Sequence, residues 1–143
     1  MTEHTANMIV VEDNPYDAEI IVDAFKQYNS YLKAEILTDG QEALDYMGAA
    51  CEDGGLAWLR LILLDLKLPK VHGLEVLRRL RADEATKDVP IVVFTSSLEE
   101  NDRIDGLKGG ANDYVVKPVK FSEFMEAVRR IYKTWVERGE PED

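Results

Sequence analysis

The 143-residue chain has one cysteine, a shortage of basic charge and no long apolar run. A single cysteine, Cys51, excludes an intrachain disulfide framework and the multi-cysteine zinc patterns. The longest apolar runs, such as Leu61 to Leu64, fall far short of the roughly 20 residues that span a bilayer, so no membrane association is expected. Residues 1–7 hold Glu3 and His4 where a secretory signal carries a basic start and an apolar run, which makes a cytoplasmic location the expectation. Lys and Arg number 17 against 28 Asp and Glu, for a net charge of −11. Phosphate is repelled by such a surface, which argues against DNA or RNA as the main partner. What remains is ordinary for a globular protein: 45% of the residues are hydrophobic, enough for one domain to bury a core without staples.

The apolar pattern alternates between two periods. Met8-Ile9-Val10-Val11 is short and rich in β-branched residues and ends on Glu12-Asp13-Asn14-Pro15, which predicts a buried strand and a tight loop. Ala18, Ile21, Val22 and Phe25 recur at i, i+3, i+4 and i+7, the spacing of an amphipathic helix. A second strand is expected over about Lys33 to Leu37. Ala43, Leu44 and Met47 then make a short helix, and the unpatterned Gly48 to Gly55 reads as a loop. Leu61-Ile62-Leu63-Leu64 is apolar on both faces, as a central parallel strand is, and ends at Asp65. Pro69 and Gly73 punctuate the loop before a helix with Leu74, Leu77 and Leu80. Between Lys67 and Arg81 five bases face only Glu75.

Pro90 to Thr95 forms a fourth strand, with proline at its first residue where the missing N–H does least harm. A thin helix with Leu98, Ile104 and Leu107 stops at Gly109-Gly110. Tyr114-Val115-Val116 is a brief fifth strand that runs into Lys117-Pro118. The last helix carries Phe121, Phe124, Met125, Val128, Ile131, Tyr132 and Trp135 in one stripe, with Tyr132 and Trp135 placed to reach past the sheet toward a partner. Five strands alternating with five helices imply an α/β fold, a (βα)5 doubly wound five-stranded parallel sheet.

In open α/β sheets ligands bind outside the carboxyl ends of the strands, where the winding order reverses. Those ends carry Glu12 and Asp13, then Asp65, Thr95 and Lys117. The order 2-1-3-4-5 brings them together. Three carboxylates in one concave site raise each other's pKa values unless a cation joins them. Mg²⁺ suits the set, because it prefers oxygen ligands and takes a couple of carboxylates plus water and a phosphate. With Lys117 it would neutralise a phosphoryl group beside Asp65, and a carboxylate can itself be the nucleophile. Taken singly, these residues have plainer readings: Glu12-Asp13 as a helix cap, Thr95 as a strand terminus, Tyr114 as core. His4 and His72 read as solvated side chains, and Cys51 as an inert loop thiol.

Taken together, Val10-Val11-Glu12-Asp13-Asn14, Leu63-Leu64-Asp65-Leu66-Lys67-Leu68-Pro69, Phe94-Thr95-Ser96, Gly110-Ala111-Asn112-Asp113-Tyr114 and Val115-Val116-Lys117-Pro118 resemble the receiver domain of two-component response regulators. The 30 positions from Asp65 to Thr95 and the 22 from Thr95 to Lys117 fit the same family. The resemblance implies a flavodoxin-like receiver over residues 7–137, with tails at 1–6 and 138–143. It implies a phosphoryl group accepted on Asp65 from a histidine kinase or phosphotransfer protein. Mg²⁺ (or Mn²⁺) would be held by Asp13, Asp65 and the main-chain carbonyl of Lys67, with Glu12 acting mostly through water. Thr95 and Lys117 would contact the phosphoryl oxygens, and a cis Lys117–Pro118 peptide would aim the lysine inward. Thr95 and Tyr114 would form the switch that alters the face of the fourth helix, fifth strand and fifth helix. Lys67 and Ser97 would tune the phosphoryl lifetime.

The resemblance leaves about 125 residues for the receiver and no room for a DNA-binding or enzymatic effector, so the output is expected to be protein–protein. The long segment between Met47 and Trp58 and the closing Tyr132-x-x-Trp135 helix are similar to single-domain regulators paired with bacterial phytochromes. Such relatives can form homodimers through the fourth-helix to fifth-helix face. Two alternatives stand beside this reading. A haloacid-dehalogenase-type Mg²⁺ phosphatase needs a second aspartate two residues after the nucleophile, where this chain has Lys67. A pseudo-receiver used only for docking would have no need of Glu12, Asp13, Asp65, Thr95 and Lys117 together.

Overall fold

The computed structural model describes residues 6–137, so the expected tails lie almost wholly outside the described residues. Five strands, β1 (Met8–Val11), β2 (Ala34–Leu37), β3 (Leu61–Leu64), β4 (Ile91–Thr95) and β5 (Asp113–Val116), form one sheet in the order β2-β1-β3-β4-β5, every pair parallel. Five helices connect and cover them: α1 (Pro15–Tyr28), α2 (Gly40–Glu52), α3 (Gly73–Ala82), α4 (Glu100–Lys108) and α5 (Phe121–Ile131). The fold is therefore the doubly wound α/β sheet expected from the alternating pattern.

The three inner strands are buried along their whole length, because helices lie on both faces. Met8, Val10, Leu61, Leu63, Val92 and Phe94 point to one side and pack with α1 and α5. Ile9, Val11, Ile62, Leu64 and Ile91 point to the other and pack with α2 and α3. A smaller cluster of Leu66, Val93 and Tyr114, with Leu74 and Ala111, lies toward α4. Each strand so alternates between two cores, as a period of two requires.

Two elements differ from the sequence expectation. The segment read as a loop after Met47 continues α2 to Glu52, because Ala43, Met47 and Ala50 make one buried stripe and Gly48 falls on the opposite, exposed face. A short 3-10 turn, Gly55–Trp58, then leads into β3. At the other end, α5 passes into a π-helical turn, Tyr132–Val136. That wider turn puts Tyr132 and Val136 in the core and leaves Trp135 half-buried. Tyr132 stacks on Tyr28 with ring centroids 5.0 Å apart and meets Phe25 edge-on at 5.4 Å. It does not reach past the sheet. Its ring is large enough to fill the gap between α1 and α5, and such pairs add about 0.5–1.5 kcal/mol beyond their buried area. Phe121, counted in the same stripe, is instead exposed.

Two glycines bring helix starts against the loop that follows β3. A Cβ on Gly73 would stand 2.5 Å from the Asp65 carbonyl oxygen and from Leu66 Cα, and one on Gly40 would stand 2.0 Å from the Val71 carbonyl oxygen. His72 is exposed and caps α3, its Nδ1 accepting the Leu74 N–H at 3.1 Å. Among the described residues no helix is long and apolar enough to cross a membrane.

Candidate phosphoacceptor and cation site

Each strand-end residue is held by one more ladder bond beyond its strand. Glu12 N–H donates to the Leu37 carbonyl at 2.9 Å, Asp65 N–H to Val11 at 3.0 Å, and Lys117 N–H to Thr95 at 2.7 Å. The pairing of β1 with both β2 and β3 makes the reversal point, and Glu12, Asp13 and Asp65 meet there. One carboxylate oxygen from each of the three lies within 4.8 Å of the others. Glu12 and Asp65 are buried, and Asp13 is open to solvent.

One ammonium enters this acidic pocket. Lys117 Nζ donates to Glu12 Oε1, to Asp17 Oδ2 at 2.9 Å and to Asp65 Oδ2 at 3.2 Å. The other oxygens accept main-chain N–H groups: Glu12 Oε2 takes Asn14 N–H at 3.0 Å and Asp65 Oδ1 takes Lys67 N–H at 3.1 Å. Burial pushes the Glu12 carboxyl up to about 7, and the Asp65 charge adds to the rise against the hydrogen bond from Lys117. Lys117 is held above the ordinary lysine range: burial alone would lower it, but the bonds to Glu12 and Asp17 and the charge of Asp65 prevail. The carboxylate excess fits a hard divalent cation, which prefers oxygen ligands of this kind. Such a cation would supply the second positive charge that one lysine leaves missing.

The Lys117–Pro118 peptide is trans, since no cis bond occurs among the described residues, and this corrects the expected cis bond. Trans is the lower-energy isomer even before proline, by about 0.5–1 kcal/mol. With the peptide trans, Nζ reaches three carboxylates.

Thr95 is fully buried at the end of β4, and its Oγ1 faces the Ser97 N–H at 3.4 Å. Ser97 is buried as well, and its hydroxyl donates to Asp102 Oδ2 at 2.6 Å, tying the β4 end to the first turn of α4. Tyr114 is buried beside Gly106 of α4 and donates its hydroxyl to the Ser97 carbonyl at 3.4 Å. Thr95, Ser97 and Tyr114 are thereby linked in one chain of contacts. The Lys67 side chain, by contrast, is exposed. A groove of about 320 Å³ opens next to Lys117 and is lined by Asp17, Ile20, Pro118, Val119 and Phe121 among others.

Two participants are missing from the sequence reading. Asp17 lies in the first turn of α1, where an acid reads simply as complementing the helix dipole. Asp102 had no pattern to mark it, being one of several acids around α4.

Comparison with known proteins identifies the family. The model of the response regulator receiver domain matches residues 8–129. The chain belongs to the response regulator receiver family. Receivers are phosphoacceptor signalling domains that bind a divalent metal and interact with histidine kinases or phosphotransfer proteins. Among curated relatives, a probable methanogenesis regulatory protein, FilR2, of Methanothrix harundinacea is 36% identical over 129 residues, covering 90% of this receiver and 83% of that protein. The transcriptional regulatory protein BaeR of Escherichia coli is 34% identical over 92% of this chain, which spans only 50% of BaeR. Among solved structures, the phosphorylated cyanobacterial phytochrome response regulator RcpA superposes with a TM-score of 0.85 at 31% identity, covering 93% of this chain and 95% of that one. The Mn²⁺-bound response regulator Rcp1 gives 0.81 at 30% identity, covering 95% and 98%.

Proposed function

We propose that this receiver accepts a phosphoryl group on Asp65 with the help of Mg²⁺ (or Mn²⁺) and signals through the α4-β5-α5 surface. The observation that carries the reading is the buried Asp65 carboxylate, with the Lys117 ammonium at 3.2 Å on one oxygen and the Glu12 and Asp13 carboxylates clustered beside it. Asp65 attacks phosphorus, the P–N bond of a partner's phosphohistidine breaks, and the imidazole nitrogen keeps the electron pair. Asp13, Asp65 and the Lys67 carbonyl are the cation ligands in this reading, and Glu12 acts mostly through water. The cation supplies electrostatic stabilisation of the phosphoryl oxygens. Lys117 and Thr95 contact those same oxygens. A donor histidine enters from the open side at Asp13.

Thr95 and Tyr114 act as the switch, because both already share contacts with Ser97 next to α4. The face they govern leaves Ile104, Leu107 and Val116 each more than a third exposed, apolar area suited to a protein target or a second copy. The receiver unit covers residues 7–137, and its place of work is the cytoplasm. Its likeness to RcpA, a phytochrome response regulator, supports pairing with a phytochrome or a related sensor kinase.

Phosphoramidate, a small donor with the same P–N bond, tests this reading. In Mg²⁺ the unaltered chain is expected to gain one phosphoryl group by intact mass, and Asp65→Asn none while keeping its circular dichroism spectrum. Labelling of Asp65→Asn at the same level would overturn it.

A further inference from the structure

Lys117 has one more acceptor than the strand-end pattern requires. An ammonium has three N–H donors, and here Glu12, Asp17 and Asp65 take all three. Glu12 and Asp65 belong to the carboxylate cluster that fits a cation, and Asp17 does not. Asp17 stands in the first turn of α1, where its N–H faces Asn14 Oδ1 at 3.3 Å. It is thus anchored by the loop that also carries Asp13. Its side chain is 26% exposed, against 3% for Glu12 and 5% for Asp65, so of the three acceptors it is the one nearest the mouth of the pocket.

We propose that Asp17 is a positioning residue that takes one of the three Lys117 N–H bonds, so that the ammonium is shared rather than committed to Glu12 and Asp65 and their oxygens stay available to a divalent cation. The proposal rests on the cation-assisted reading of the site given above. A lysine and a metal ion compete for the same two carboxylates and repel each other at short range. An acceptor outside the cluster stabilises the arrangement in which both positive charges are present. Without Asp17, the freed N–H turns to Glu12 or Asp65 and weakens the hold of those oxygens on the metal. Asp17 touches neither the cation nor the phosphoryl group in this scheme. It acts through Lys117.

A double-mutant cycle read by calorimetric titration with Mg²⁺ alone separates this role from a plain charge effect. Asp17→Asn keeps the size of the side chain, and Lys117→Met keeps an apolar stem in the pocket. In the otherwise unaltered chain, Asp17→Asn is expected to weaken Mg²⁺ binding at least fivefold. In the Lys117→Met background the same change is expected to cost about twofold or less, the size of a screened charge effect across the pocket. Equal losses in the two backgrounds would overturn the proposal, as would no loss in either. Asp17→Ala repeats the cycle without a side-chain amide that could still accept from Lys117. Phosphoramidate labelling of the unaltered chain is the separate arm. Its failure would overturn the phosphoacceptor reading, whereas the cycle alone decides the role of Asp17.

Discussion

Lys117 sets the electrostatics of the pocket at the scale of single residues. Its ammonium is shared among three carboxylates, and burial still leaves the Glu12 carboxyl raised to about 7. One positive charge is too few for this many acids. Asp65 and Glu12 could be read from the sequence because each follows a strand whose end position is dictated by a run of apolar residues. Lys117 could be read for the same reason. Asp17 could not, because a helix-first-turn acid looks alike whether or not a lysine lies across from it.

Lys67 is a second matter at this scale. Its N–H donates to Asp65 Oδ1 at 3.1 Å while its side chain is exposed. A long side chain there is expected to hinder or redirect an attacking water. The phosphoryl lifetime is accordingly expected to be on the order of minutes or longer, and Lys67→Asn is expected to shorten it severalfold. An unchanged decay of the labelled protein after donor removal would rule out this role.

At the scale of elements, the strands and the order of the sheet were legible throughout, since the inner strands are buried on both faces and carry unbroken apolar runs. Helix ends were less so. The stripe Ala43, Met47, Ala50 was masked by its small residues, and Gly48 looked like a break. A helix-interior glycine costs about 0.5–1 kcal/mol relative to alanine. A Cβ at Gly48 meets nothing within 4 Å, so Gly48→Ala is expected to stabilise the fold by about that amount in urea denaturation. A loss of stability would mean that α2 does not run through this position.

Arg81 was equally hidden. Counted with the bases of α3 it looked like surface charge, yet its guanidinium donates to the carbonyls of Gly110, Val89, Thr86 and Lys87 and to Asn112 Oδ1. It pins the start of β4 and the turn before β5 to α3. Only the planar five-donor fork of arginine serves so many acceptors at once. Nothing in linear spacing announces such a contact, because its partners are loop carbonyls.

For the whole molecule, the acidity is uneven. Residues 12–54 hold eleven acids and two bases, so the β2 edge and its helices carry most of the net charge. The α4-β5-α5 side has mixed charge and the partly exposed apolar residues Ile104, Leu107 and Val116, a composition better suited to pairing with a protein surface. With Mg²⁺ and beryllofluoride, light scattering is expected to show a shift from monomer to dimer mass. Leu107→Glu, on the same face, is expected to prevent it. A dimer that forms equally well with Leu107→Glu would place the contact elsewhere.

In the proposed reading, Asp65 is the one acid of this pocket that carries the phosphoryl group. Borohydride reduces an acyl phosphate but leaves a free carboxylate intact, turning a phosphorylated aspartate into homoserine. After phosphoramidate treatment in Mg²⁺, reduction and peptide sequencing by mass spectrometry, homoserine is expected at position 65 and nowhere else. Homoserine at position 13 or 17, or a chain that sequences with Asp65 unchanged, would exclude Asp65 as the phosphoacceptor.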